Sequence, residues 1–339
     1  MVQRYRGRKK SHRRAGTATV LPDNGLTPYL THYLEWLRIK GFSETTVVNR
    51  EGDLSALIRW CDERQLHAPG EISKPMIERY QRHLYYYRKE NGEPLAYSSQ
   101  RKRFTSVKAW FKWLTQENYI PGNPASEVAA IKVPKSLPAK VLSVEEVRHI
   151  LASLDVSDAE GLRDRAIVEV LYSTGIRRSE LCGLLVSDID RVRRSVFVRK
   201  GKGGSDRCIP IGEQALRWVQ RYLERGREQL RVNLQEYALF LNVHGEAFTP
   251  GGLGHLVKRL LRHAEIECEG SCHLFRHAMA THMLDNGAEL RYIQAILGHA
   301  DINTTTIYTH LSIATLQQVH AATHPEMMKS ERSVRGDGL

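Results

Sequence analysis

Apolar residues recur three and four positions apart through most of this chain, and each run ends at a glycine, a proline or a capping side chain. Tyr29, Leu30, Tyr33, Leu34 and Leu37 form the first stripe, which predicts a helix stopped at Gly41. Ser43 suits an N-cap for a second helix, with Leu54, Leu57, Ile58 and Cys61 at helical spacing. A third opens at Ser73 with Pro75 in its first turn and is expected to bury Met76, Ile77, Tyr80, Leu84 and Tyr87. After the polar turn Asn91-Gly92-Glu93-Pro94, the residues Phe104, Val107, Phe111 and Leu114 mark a fourth, with Trp110 and Trp113 read as core. Pro121, Pro124, Pro134 and Pro138 then break the helical pattern, and the stretch reads as a linker.

The pattern resumes with a capping box, Ser143 and Glu146, ahead of Val147, Ile150 and Leu151. Ile167, Val168, Val170 and Leu171 predict a buried helix ending at Gly175, with Arg177 just beyond it where another helix starts. Two short strands, 195–199 and 206–211, flank the glycine-rich tip Lys200 to Ser205 and read as a hairpin. Ala215, Leu216, Val219, Tyr222 and Leu223 predict a further amphipathic helix, and the apolar run 238–241 a further strand. Leu274, Ala278, Thr281, Met283 and Leu284 mark a helix stopped near Gly287, and Leu290, Ile293, Ile296 and Leu297 one that precedes Gly298. A last helix is expected to begin near Tyr308. Its apolar face (Leu311, Ile313, Leu316, Val319) would dock on a neighbouring protomer or fold back on its own domain, and the neighbour is preferred.

These elements predict a mainly α protein with a small antiparallel β-sheet. A helical N-terminal domain spans 25–118, a linker 119–138 and a mixed α/β domain 139–325. A disordered basic arm (1–24) and a loose tail (326–339) flank them.

Charge narrows the choice of partner. The formal net charge of +12 favours a polyanion, most simply nucleic acid, but seven of those charges lie within residues 1–14. That arm either touches DNA or is a solvated tail, so local clusters must carry the claim for the folded part. One such cluster is Arg101, Lys102, Arg103, Lys108 and Lys112 on the fourth helix, with no acid between Ser98 and Thr115. Lys258 and Arg259, with Arg262, make a second basic face. Five scattered cysteines suit a reducing cytosol. Cys268 and Cys272 lie near His273 and His277, but no second cysteine pair stands at zinc spacing, so no metal is expected. No apolar run approaches the roughly 18–20 residues that span a bilayer, and the expected location is the cytoplasm.

The candidate chemistry lies in three separated motifs. His273 and Arg276 stand three apart on one predicted helix face, so both are able to address a single anionic group. That pair alone is weak evidence. Upstream, however, Tyr172-Ser173-Thr174-Gly175-Ile176-Arg177-Arg178-Ser179-Glu180-Leu181 and Gly201-Lys202-Gly203 with Arg207 supply cations of the same electrostatic purpose. Downstream stand Gly298-His299-Ala300-Asp301 and Tyr308-Thr309-His310.

Together these segments resemble the tyrosine recombinase (phage integrase) family, particularly its compact Xer-like members, over roughly Thr27 to His324. The resemblance implies that Arg177 is the first catalytic arginine, Lys202 the hairpin lysine, His273 and Arg276 the His-x-x-Arg pair, His299 the second histidine and Tyr308 the nucleophile. Phe275 stands where a leucine is usual, and Arg178 where a small or apolar residue is. Neither change removes a catalytic group.

The chemistry needs such residues. A phenol of pKa ~10 is about one part in a thousand ionised at pH 7, so the site must accept its proton and neutralise the developing phosphorane. Arg177 and Arg276 are permanently charged forks suited to phosphate oxygens. The resemblance further implies His273 as base or proton shuttle, Lys202 as general acid to the 5′-oxygen and His299 as a hydrogen-bond donor to a non-bridging oxygen. Lys200 competes with Lys202 for the hairpin role, and with Arg207 it is placed among the DNA contacts. The bland alternative for Arg177 and Glu180 is a simple i, i+3 surface pair, and Arg178 reads as solvated or backbone-contacting.

The expected function is therefore site-specific DNA strand exchange through a 3′-phosphotyrosine and a Holliday junction, with no cofactor. By resemblance the partners are double-stranded DNA bearing a recombination site and a homo-tetramer on two such sites, with a second recombinase or accessory factor left open. The rivals are a type IB topoisomerase-like enzyme and a non-catalytic DNA-binding protein.

Overall fold

The computed structural model describes residues 23–134, 140–199, 206–298 and 313–325, and the chain forms two compact units dividing at Leu137 and Pro138. The first unit is helical: α1 (Thr27–Ile39), α2 (Glu44–Asp62), α3 (Lys74–Tyr86) and α4 (Tyr97–Gln116). Ser43 caps α2 by accepting from the Thr46 N–H at 3.3 Å, as the sequence pattern predicts. Leu30, Leu54, Ile58, Tyr80, Phe104, Trp110 and Phe111 are among the residues closing the core between these helices.

Two features of this unit depart from the sequence reading. Tyr87 lies outside the core: it caps α3 with an extended ψ of 133°, leaves the helical stripe and is exposed, with the Arg103 guanidinium 5.6 Å from its ring centroid. The stretch after α4 is also more than a spacer. Its prolines prevent a helix, but Ile120, Ala125 and Val128 still bury themselves in the core of the first unit. Lys108 fastens that stretch, donating to the Val128 carbonyl at 2.7 Å.

The second unit is built round α6 (Ala159–Thr174), a helix buried on nearly every side. Its buried charges survive because each is paired. Arg163 donates to Asp164 at 2.8 Å and to the Leu241 carbonyl at 3.2 Å, and Arg165 to Glu169 at 2.9 Å. Around it lie α5 (Val144–Ala152), α7 (Arg178–Cys182), α8 (Glu213–Arg225), α9 (Arg227–Leu230), α10 (Pro250–His263), α11 (Cys272–Asp285), α12 (Leu290–Leu297) and α13 (Ile313–Thr323). The Ser143–Glu146 capping box opens α5 as expected.

A three-stranded antiparallel sheet in the order β1 (Ile189–Asp190), β2 (Ser195–Val198), β3 (Arg207–Pro210) completes the unit. Val196 pairs with Ile209, and Val198 with Arg207. The run 238–241 is buried but is no strand, forming only single bridges from Ala238 to Leu185 and from Leu241 to Ala247. Side chains take up part of its backbone instead: Arg227 donates to the Ala238 carbonyl at 2.7 Å, and the Tyr222 hydroxyl accepts the Leu241 N–H at 3.2 Å. Among the described residues no helix is long and apolar enough to cross a membrane.

The last described helix, in this single chain, folds back on its own unit, where the sequence reading prefers docking on a neighbour. Leu316 enters the core, His320 Nε2 donates to the Ser173 carbonyl at 2.6 Å and His324 Nε2 to the Tyr172 carbonyl at 3.2 Å. A single chain thus offers this helix a seat with polar sockets already in place.

Candidate active site

Two helix ends and one helix start bring the cations of the second unit together. Helix α6 ends at Gly175 in the left-handed conformation (φ 59°), which turns the chain so that Arg177 becomes the N-cap of α7. Helix α12 ends the same way at Gly298 (φ 62°). Between them stands the first turn and a half of α11, carrying His273 and Arg276.

Arg276 is buried and joins both ends: Nη1 donates to the Gly175 carbonyl at 2.6 Å and Nη2 to the Leu297 carbonyl at 2.9 Å. It therefore satisfies carbonyls that two helix C-termini would otherwise leave open. Arg177 reaches the same place from α7, with Nη2 donating to the Gly298 carbonyl at 2.6 Å and Nη1 to Glu180 at 2.8 Å. Burial, with the charge of Arg177 and against that of Glu180, brings the Arg276 guanidinium down to about 10, so it stays protonated at neutral pH.

Glu180 is the organiser that sequence reading passed over as a surface partner. Its side chain is 4% exposed and accepts four hydrogen bonds. These come from Arg177 Nη1 at 2.8 Å, the Arg177 N–H at 3.0 Å, Arg207 Nη1 at 2.9 Å and Arg207 Nη2 at 2.8 Å. Burial opposes its ionisation, but the Arg207 fork and the Arg177 N–H prevail and hold the carboxyl at about 2. The sequence signal was available as the i, i+3 spacing of Arg177 and Glu180, but spacing does not tell a buried pair from a solvated one.

His273 lies one turn before Arg276 with its side chain accessible. Partial desolvation, then the charges of Arg276, His277, Arg178 and Arg177, hold its imidazole below the usual histidine range, and the ring is neutral at pH 7. The neighbouring Arg178 is half-buried. It lies against α10, where a Cβ on Gly254 would stand 2.8 Å from its Nη1.

The other expected contacts divide. Arg207 turns inward onto Glu180 and is 14% exposed, so it is not an outward cation as expected. On α4, Arg101 and Lys112 share an exposed face, Lys102 donates to Asn49 at 3.0 Å, Lys108 is spent on Val128, and Arg103 sits over Tyr87 away from the others. Lys258 and Arg259 are exposed on α10, and Arg259 Nη2 lies 3.6 Å from Asp164. Lys200, Lys202, His299 and Tyr308 lie outside the described residues. Among those described, no three His, Cys, Asp or Glu side chains are grouped to hold a metal.

Comparison with known proteins gives this geometry a context. Residues 140–314 match the model of the phage integrase family. The chain is 49% identical over 312 residues to tyrosine recombinase XerC 2 of Ralstonia nicotianae, covering 92% of this chain and 90% of that one. It is 35% identical to tyrosine recombinase XerD of Pseudomonas putida, covering 88% and 97%. Among solved structures, the fold resembles XerH site-specific recombinase bound to difH in a post-cleavage complex (TM-score 0.62, 20% identity, 91% and 84% covered). It also resembles the Tn1549 transposon integrase with circular-intermediate DNA (TM-score 0.61, 22% identity, 90% and 98% covered).

Proposed function

The chain belongs to the phage integrase family as an Xer-like tyrosine recombinase, a site-specific DNA recombinase, and from that premise we propose that it exchanges strands through a 3′-phosphotyrosine intermediate. The observation that supports this reading most directly is the meeting of Arg177 and Arg276 at the joined ends of α6 and α12, one helical turn from a neutral His273.

In this mechanism the Tyr308 oxygen attacks the scissile phosphorus, the P–O bond to tyrosine forms and the bond to the 5′-oxygen breaks. His273 takes the phenol proton, and Lys202 gives one to the departing 5′-oxygen, which leaves as a hydroxyl. Arg177 and Arg276 hold the negative charge that builds on the equatorial oxygens, with His299 donating to one of them. The phosphotyrosine keeps the energy of the broken ester. A 5′-hydroxyl from another duplex then attacks it, so resealing needs no nucleotide. Two rounds through a Holliday junction, in a tetramer on two sites, complete the exchange.

Double-stranded DNA carrying a recombination site is the substrate and partner. Arg101, Lys102 and Lys112 on the first unit, and Lys200 and Lys258 on the second, are its proposed phosphate contacts, and Arg259 adds charge beside Lys258.

A duplex nicked near the cleavage position tests the reading, because the short strand diffuses away and traps the covalent complex. Wild-type protein is expected to become linked to a 3′-end, and Tyr308→Phe to bind the same DNA with unchanged affinity and form no adduct. A covalent complex persisting in Tyr308→Phe would overturn the assignment. Products that join two different duplexes mark strand exchange, whereas relaxation alone would mark a topoisomerase.

A further inference from the structure

Arg207 was expected on the DNA, but its surroundings suit another task. Both arms of its fork are taken by one carboxylate: Nη1 and Nη2 reach Glu180 Oε1 and Oε2 at 2.9 and 2.8 Å. The same two oxygens also accept from Arg177, one from its guanidinium at 2.8 Å and one from its backbone N–H at 3.0 Å. Arg177 in turn donates to the Gly298 carbonyl, and the Gly298 Cα lies under the Arg207 side chain. A Cβ there would stand 2.8 Å from Arg207 Nε, 3.0 Å from Cδ and 3.1 Å from Cζ. The four residues thus close a ring: Arg207, Glu180, Arg177 and the bare backbone of Gly298.

We propose that Arg207 is a positioning residue for strand cleavage: its fork holds the Glu180 carboxylate, and Glu180 so held fixes Arg177 for the scissile phosphate without cancelling its charge. This rests on the reading of Arg177 given above.

Charge supplies the reason. Arg177, Arg207 and Arg276 against Glu180 leave the cluster at net +2. Without Arg207, the buried Glu180 would have Arg177 as its one remaining cation partner among those four, and the pair would neutralise itself where the phosphate needs a positive field. A bidentate fork suits this task in a way that a point charge does not, because each carboxylate oxygen must keep its second acceptor direction free for Arg177. Gly298 is the matching concession: any side chain there would push the fork aside.

The test measures cleavage rate and DNA affinity on the nicked duplex for wild type, Arg207→Met, Arg177→Ala and the double variant. It uses both an ordinary phosphodiester and a neutral methylphosphonate at the cleavage position. Arg207→Met is expected to cleave the phosphodiester about a hundredfold more slowly, as small misplacements of a catalytic group do, with affinity and its salt dependence unchanged. Its deficit should shrink on the methylphosphonate together with that of Arg177→Ala, because the charge both serve is gone. Added to Arg177→Ala, it should cost less than about tenfold further.

A weaker affinity with a salt slope lowered by about one would show a direct phosphate contact and overturn the proposal. So would losses that multiply in the double variant, or an equal deficit on both substrates. If Arg207→Met fails to fold, Arg207→Lys decides: a positioning fork leaves the lysine variant slow, and wild-type speed refutes it. If Arg177→Ala itself cleaves at the wild-type rate, the underlying assignment of Arg177 fails, and that result is separate from any of these.

Discussion

At the scale of single residues, the site depends on one anion among cations. Glu180 is held at about 2, well below the 4.5 of a free glutamate, so its contribution to stability is complete above about pH 4.5 and is lost as pH falls through about 2. Glu180→Gln should therefore melt earlier than wild type at pH 6, and the gap between their melting temperatures should close progressively as the buffer is taken below pH 4.5. His273 gives a different profile. Its imidazole titrates below the ordinary histidine range and must be neutral to take a proton, so single-turnover cleavage should stay level at pH 7 and decline only on acidification past 6.5. A rate already falling between pH 8 and 7 would argue against His273 as the base. Arg177, His273 and Arg276 were legible in the sequence because the motifs that carry them resemble a known family, with His273 and Arg276 also at helical spacing. Glu180 and the inward turn of Arg207 were not. Their meaning comes from a partner 27 positions away.

At the scale of elements, helices were the most legible and the irregular stretches the least. Glycine stops and serine caps announce α2, α5, α6 and α12, because the backbone requirement there falls on one residue type. The apolar run 238–241 carried a strand-like composition, yet Arg227 and Tyr222 meet its backbone first. The residues after α4 read as a linker because prolines forbid a helix, although nothing forbids their apolar side chains from docking. Lys108 holds that docked stretch, and Lys108→Met should lower the urea stability of the first unit by about 1 kcal/mol. DNA affinity should fall little, since that ammonium is already spent. Helix α13 makes a sharper prediction. Desolvation holds His320 below the usual range, and desolvation with the charge of His320 holds His324 well below it. The docked form excludes their protons, so docking weakens as pH drops below about 6.5, the midpoint in the undocked chain. Amide protection factors over 316–323, corrected for the intrinsic pH dependence of exchange, should therefore fall from pH 7 to 5.5 before those in α6 do, and should not in a chain carrying Gln at both positions.

At the scale of the whole molecule, two separate cores lie on one chain, so the units should unfold as two transitions in calorimetry, and fragments divided near Leu137 should each retain helical structure. Salt titration measures how the proposed DNA contacts are shared. Replacing Arg101 and Lys112 by Ala should reduce the slope of log affinity against log salt by about two, while Arg103→Ala, set over Tyr87, should leave it nearly unchanged. The helix ends that carry the arginines have a further consequence for the history of this gene. An α-helix turns through about 100° per residue, so adding or deleting one codon inside α6 or α12 would swing the carbonyl of Gly175 or Leu297 out of reach of Arg276. These two helices are therefore held to their residue count. Length variation among descendants of this chain should accordingly be rare in the turns that lead up to those carbonyls.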